Sequence, residues 1–149
     1  MISSSFLTPE CKPTVTTQTA TPVTDTTATG NGNITVIGAA NATRRGFCYV
    51  EGTSGDCTTA DSVAYDDGDF GTGAFTKQIT GLSASTGYRV RAYAVNSAGT
   101  SYGLTYQVTT TAAGYGKYII TATNDGRIYA LDPAYKDISI AWDATTGIH

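Results

Sequence analysis

The sequence predicts an all-β fold, a two-sheet sandwich of seven short strands, and three observations carry that prediction. Along the run Tyr88 to Val95, residues Tyr88, Val90, Ala92 and Ala94 fall on one face and Arg89, Arg91 and Tyr93 on the other. This is the period of two of a strand with one side in a core and one in water. Leu82 stands six residues ahead of Tyr88, the spacing that lets a tyrosine hydroxyl reach back to upstream backbone at a sandwich corner. Threonine occurs 28 times and Tyr outnumbers Trp ten to one, a usage that favours strands and exposed β surface over helices.

Taken in order, residues 1–12 read as an extended polar arm, with Pro9 and Pro13 bracketing Cys11. Strands are expected near 14–20, 26–36, 43–50, 62–66, 74–80, 87–95 and 104–111, within a sandwich domain spanning 13–111. Turn chemistry separates them, as in Asn96-Ser-Ala-Gly99 before the last strand. Residues 112–149 form a β-rich extension. There, Tyr118-Ile-Ile-Thr-Ala-Thr123 and Arg127-Ile-Tyr-Ala-Leu131 flank Asn124-Asp-Gly126, residue types that tolerate the positive φ of tight hairpin turns. A third strand is read at Ile138-Ser-Ile-Ala-Trp142, after the Asp132-Pro133 turn. A three-strand meander of this size cannot bury enough surface to stand alone. Tyr118, Ile120, Ile128, Tyr129, Leu131 and Trp142 are therefore expected to pack on the sandwich, to pair with a neighbouring subunit as an assembly tail, or to begin something longer.

Several pieces of the chain also carry a family resemblance: Thr26-Thr-Ala-Thr-Gly-Asn-Gly-Asn-Ile34, Arg45-Gly-Phe-Cys-Tyr49, Gly71-Thr-Gly-Ala-Phe-Thr76, Ile79-Thr-Gly-Leu82 and the corner-and-strand run Leu82 to Gly103. In that order they resemble the fibronectin type III-like (Ig-like) repeat of phage structural proteins and bacterial surface proteins, over residues 13–111. The resemblance implies a seven-stranded two-sheet sandwich with Leu82 and Tyr88 as its structural corner. Ala84 and Cys57 depart from it, standing where such repeats often carry proline. In the tail, Asp125-Gly-Arg-Ile-Tyr-Ala-Leu-Asp132 looks similar to a quinoprotein-type propeller blade repeat, which would make the tail the start of a longer propeller.

Composition narrows the function classes. Only 14% of residues are charged and the net charge is −3, so no basic surface argues for nucleic acid. No apolar run approaches the ~20 residues of a membrane span. Met1-Ile-Ser-Ser-Ser-Phe-Leu-Thr8 lacks the basic start and apolar centre of a secretory signal. The sole histidine is His149, and no nucleophile elbow, zinc-protease or phosphate-loop motif occurs. Gly30-Asn-Gly32 has Thr35 where a dinucleotide fingerprint needs its third glycine. The expectation is a protein that is not an enzyme and needs no cofactor.

The candidate site residues are few. Asp66, Asp67 and Asp69 sit beside Phe70-Gly-Thr-Gly73 and read either as a solvated loop or as a weak cation site, since hard cations want several oxygens. Cys48 and Cys57 flank Glu51-Gly-Thr-Ser-Gly-Asp56. A hairpin centred on Gly52 and Thr53 would set them opposite one another, either bridged or as two small packed thiols. Arg44 and Arg45 read as a solvated strand start or as a ligand clamp. Tyr93, Tyr102, Tyr106 and Tyr115 form either an exposed protein or carbohydrate contact surface or a simple cover for the strands.

These features add up to a noncatalytic structural or interaction module. The expected setting is a phage virion, with a decoration or appendage subunit anchored to other subunits of an oligomeric assembly through its terminal arms. The alternative is a bacterial surface or secreted adhesion module that binds a cell-surface glycan or a protein.

Overall fold

The computed structural model describes residues 11–113, and in the tail the backbone of strands 119–122, 128–132 and 135–140. The chain forms two compact units, Met1–Ala112 and Ala113–His149. In the first, seven strands make two antiparallel sheets that do not close into a barrel: β1 (Thr14–Gln18), β2 (Thr27–Val36), β3 (Ala42–Glu51), β4 (Ser62–Phe70), β5 (Gly73–Thr80), β6 (Gly87–Asn96) and β7 (Gly99–Thr109). One sheet has the order β1-β2-β5 and the other β4-β3-β6-β7. In the second unit, β8 (Ile119–Ala122), β9 (Ile128–Asp132) and β10 (Tyr135–Ile140) form a separate antiparallel sheet centred on β9. Its last strand starts three residues earlier than the sequence suggests. Tyr115, Tyr118, Trp142 and the Asn124-Asp-Gly126 turn lie outside the described residues.

Alternation builds the core. Ala28 and Ile34 of β2, Phe75 and Ile79 of β5, Phe47 of β3 and Val90, Ala92 and Ala94 of β6 are all buried in one cluster. Phe47 and Phe75 meet across the sheets with ring centroids 5.3 Å apart, within the range of tilted aromatic pairs. Gly30 and Gly32 face the same space. A Cβ at Gly30 would lie 2.7 Å from the Phe47 ring, and one at Gly32 would lie 2.8 Å from Phe75. These glycines make room for phenylalanines inside a strand.

The corner is held by Tyr88, whose hydroxyl accepts the Ser83 N–H at 2.9 Å. Ser85 beside it has a φ of 51°, the left-handed region. Between the sheets, the β6–β7 register shifts between Arg91 and Tyr93, and there the Ala92 N–H donates to Thr17 Oγ1 at 2.9 Å. The end opposite the corner is gathered by buried Asn96. Its Nδ2 donates to the carbonyls of Cys11 (2.9 Å), Ile37 (3.0 Å) and Ala40 (3.3 Å), while its Oδ1 accepts the Ala98 N–H.

Two strands differ from the sequence reading. β4 continues through Asp66, Asp67 and Asp69 to Phe70, where low strand propensity suggests a loop. Pairing with β3 and cationic partners for Asp66 and Asp67 carry the strand onward. β7 begins at Gly99 rather than near 104, because the Asn96–Gly99 hairpin is tight enough for pairing to start at once. No helix among the described residues is long and apolar enough to cross a membrane.

Candidate functional site

The register of β4-β3-β6-β7 arranges the outer face of this sheet in rows. Tyr65, Gly46, Tyr93 and Tyr102 stand in one row across the four strands. The next row holds Asp67, Arg44, Val95 and Thr100, and the row on the other side holds Val63, Cys48, Arg91 and Thr105. Gly46 is required in the middle of the tyrosine row, because a Cβ there would lie 2.6 Å from the Tyr65 Cα.

The loop 52–61 crosses this face as a strap. Its Gly52 N–H donates to Gly87 O at 2.9 Å and its Gly55 carbonyl accepts Arg89 Nε at 3.1 Å. Asp56 accepts the Thr105 hydroxyl at 2.5 Å and lies 3.7 Å from Arg91 Nη1. Cys57 is bonded to Cys48, with the two Cα atoms 5.7 Å apart. Thr59 meets the Tyr102 hydroxyl through its N–H (3.1 Å) and through its own hydroxyl (3.0 Å).

The sequence placed Cys57 directly across a hairpin from Cys48, but the partner of Cys48 in β4 is Val63. Cys57 lies in the loop and is folded down onto the sheet instead. Both cysteines are fully buried, yet neither belongs to the core between the sheets. Tyr93, buried as well, stands in the neighbouring row of the same outer face, with its ring centroid 6.3 Å from that of Tyr102.

Tyr93 is the main correction to the predicted contact surface. Alternation sends it to the outer face, but it is only 1% exposed. Burial pushes its phenol up to about 12, since the phenolate would be stripped of water. Tyr102 is half-buried and its ring lies under Arg91 at 4.6 Å. Tyr106 is 37% exposed at the β7 edge, and Leu104, which the sequence did not single out, is 76% exposed. These tyrosines therefore do not make one exposed surface.

Arg44 is not a bare solvated arginine. Its Nε and Nη2 donate to the two Asp67 oxygens at 2.6 and 3.0 Å, and its guanidinium lies 4.0 Å from the Tyr65 ring centroid. The hydrogen bond from Arg44 holds the Asp67 carboxyl below its ordinary range, and the same bond raises the guanidinium. Arg45 points the other way, with its guanidinium 4.1 Å from the Phe70 centroid and 5.1 Å from that of Phe75. Its Nε is buried without a hydrogen-bond partner.

The three aspartates do not converge. Asp66 pairs with Lys77 of β5 and Asp67 with Arg44, because adjacent residues of a strand point to opposite faces. Among the described residues no three His, Cys, Asp or Glu side chains gather as a metal site. What remains open beside the strap is a groove of about 580 Å³ with Tyr93 at its base, bounded by Arg44, Asp67, Val95, Thr100 and Thr59. Sequence reasoning missed Tyr65, Asp67 as a partner of Arg44, and Thr59, because only the register and the strap bring them together.

No protein-family model matches the chain and no curated protein matches its sequence. Solved structures are similar in fold, among them three of the sensor domain of the anti-sigma factor RsgI4 in Pseudobacteroides cellulosolvens. A short form is 16% identical with a TM-score of 0.51, covering 69% of this chain and 98% of that one. A solution structure is 17% identical with a TM-score of 0.53, covering 67% and 76%. A long form is 17% identical with a TM-score of 0.50, covering 73% and 99%. At these identities the likeness speaks to the fold.

Proposed function

We propose that the chain is a noncatalytic recognition module of an extracellular surface, a fibronectin type III-like sandwich that binds through the outer face of β4-β3-β6-β7. The observation that carries this reading is the strapped face itself. Arg91 and Tyr102 are held by Asp56 and Thr59 of the strap, which the disulfide ties to the sheet, and Arg44 is held by Asp67, so contact there needs little further ordering. The strand order β1-β2-β5 against β4-β3-β6-β7 supports the repeat class. A buried disulfide suits an oxidising setting, and the likeness to sensor domains favours recognition over catalysis. The sensor-domain likeness favours the surface setting over the phage virion, for which the comparisons offer no support.

In this reading residues 112–149, with the three-stranded β8-β9-β10 sheet, serve as the anchoring element. The test is retention of the oxidised full chain on isolated cell-envelope material. Arg44→Ala/Tyr65→Ala on the proposed face is expected to lose retention, while Thr76→Ala/Gln78→Ala, exposed on the opposite sheet, keeps it. Equal retention of both double variants overturns the reading.

A further inference from the structure

The groove beside the strap has a chemistry that selects its ligand. Arg44 and Asp67 form one wall, and they satisfy each other through two parallel hydrogen bonds. The pair therefore presents guanidinium N–H donors and carboxylate lone pairs side by side with no net charge. An anion reaching Arg44 meets the carboxylate, and a cation reaching Asp67 meets the guanidinium. A neutral ligand carrying neighbouring hydroxyls satisfies both at once, donating to the carboxylate and accepting from the guanidinium.

The rest of the groove agrees with this. Thr59 and Thr100 set hydroxyls on the other walls, and Val63 and Val95 supply apolar patches. Tyr65 stands outside the groove and backs the pair, with the Arg44 guanidinium stacked on its ring at 4.0 Å, so the apolar contact for the C–H face of a sugar ring falls to Val63 and Val95. A volume of about 580 Å³ falls within the range of small-ligand sites, roughly 300–1,000 Å³. The base is stiff, because Tyr93 is buried against Tyr102, which Thr59 of the strap holds, and the strap is bonded to the sheet through Cys48 and Cys57.

We propose that this groove is a saccharide site that takes neutral pyranose units of a glycan, with the Arg44–Asp67 pair gripping vicinal hydroxyls and Val63 and Val95 meeting the C–H face of the ring. The proposal rests on the recognition-module reading above and names the ligand class of that same face.

The experiment is a titration of the oxidised full chain, followed by amide NMR, with cellotetraose, xylotetraose and mannotetraose, and with tetragalacturonate as an acidic comparison. The expected result is a saturable shift at residues 43–44, 67–68 and 93–100 with at least one neutral oligosaccharide and weaker or no shift with the acidic one. Asp67→Asn and Arg44→Gln each weaken that affinity roughly tenfold or more, since each breaks a charge-assisted pair that meets the ligand. Thr100→Val, which removes a hydroxyl at a strand position without touching the ion pair, weakens it by a smaller factor and covers the case in which a charge variant unfolds. Thr76→Ala on the opposite sheet leaves it unchanged.

Absence of shifts with every neutral oligosaccharide, or tighter binding of the acidic one, overturns the saccharide site. If retention on envelope material still depends on Arg44 and Tyr65 while no oligosaccharide binds, the module reading stands, its ligand is a protein, and the saccharide inference fails. If neither assay responds to these residues, both fail.

Discussion

Reduction of the Cys48–Cys57 disulfide is the perturbation most directly tied to the proposed face. The bridge closes a loop with a sequence separation of nine residues. Releasing a loop of that length restores chain entropy to the unfolded state worth about 2.5 kcal/mol. For a domain of this size that lowers Tm by roughly 10 °C or more. The other strap anchors are hydrogen bonds and an ion pair to Gly87, Arg89, Thr105, Arg91 and Tyr102, each worth only about 0.5–1.5 kcal/mol. Once the covalent tie is gone they hold the strap weakly. Tyr102 then loses its Thr59 anchor beside Tyr93, Tyr93 gains water, and its phenol falls from about 12 toward the ordinary ~10.

Two measurements on the full chain check this: thermal unfolding by circular dichroism with and without reductant, and an alkaline titration of phenolate absorbance. Cys48→Ala/Cys57→Ala is expected to behave like the reduced protein, with a somewhat larger loss because both sulfurs are fully buried. A shift in Tm below about 3 °C, together with an unchanged titration, would refute the account of the strap as a covalently latched cover.

Three further outcomes follow from the same geometry. Between about pH 10 and about pH 12 the unfolded chain has already given up the Tyr93 proton that the folded chain retains. Stability therefore falls as pH rises through that window, by up to ~2–3 kcal/mol, and urea midpoints should show that Tyr93→Phe removes this extra slope. Gly30→Ala drives a Cβ to within 2.7 Å of the Phe47 ring and should cost about 1–3 kcal/mol by overpacking. Chemical denaturation should show part of that loss recovered in Gly30→Ala/Phe47→Leu. Asn96→Asp turns a donor that serves three carbonyls into a buried acceptor facing acceptors. It should destabilise the domain by roughly 2–4 kcal/mol at neutral pH, with a smaller loss once the carboxyl is protonated in acid.

The strand pattern was legible because a period of two is local information. Val90, Ala92 and Ala94 are in the core, the Tyr88 hydroxyl reaches back to Ser83, and seven strands form two sheets. The acidic run in β4 was less legible. Asp66 and Asp67 look like loop residues until Lys77 and Arg44 are seen opposite them, and both partners come from other strands.

The candidate site was mostly hidden for the same reason. Arg44 and Asp67 are 23 residues apart and meet only because the antiparallel β3–β4 register sets them opposite one another. Tyr93 was assigned to the correct face and the wrong environment: alternation chooses a side of the sheet but says nothing of what lies above it. By itself, then, the sequence determined the strands, their inward faces and the corner, since neighbouring residues and backbone sterics decide those. Tertiary structure alone decided that a loop would be pinned across the outer sheet, that one tyrosine of that face would be buried, and that a groove would remain beside the loop. That arrangement depends on contacts between segments far apart in the chain, which no local pattern encodes.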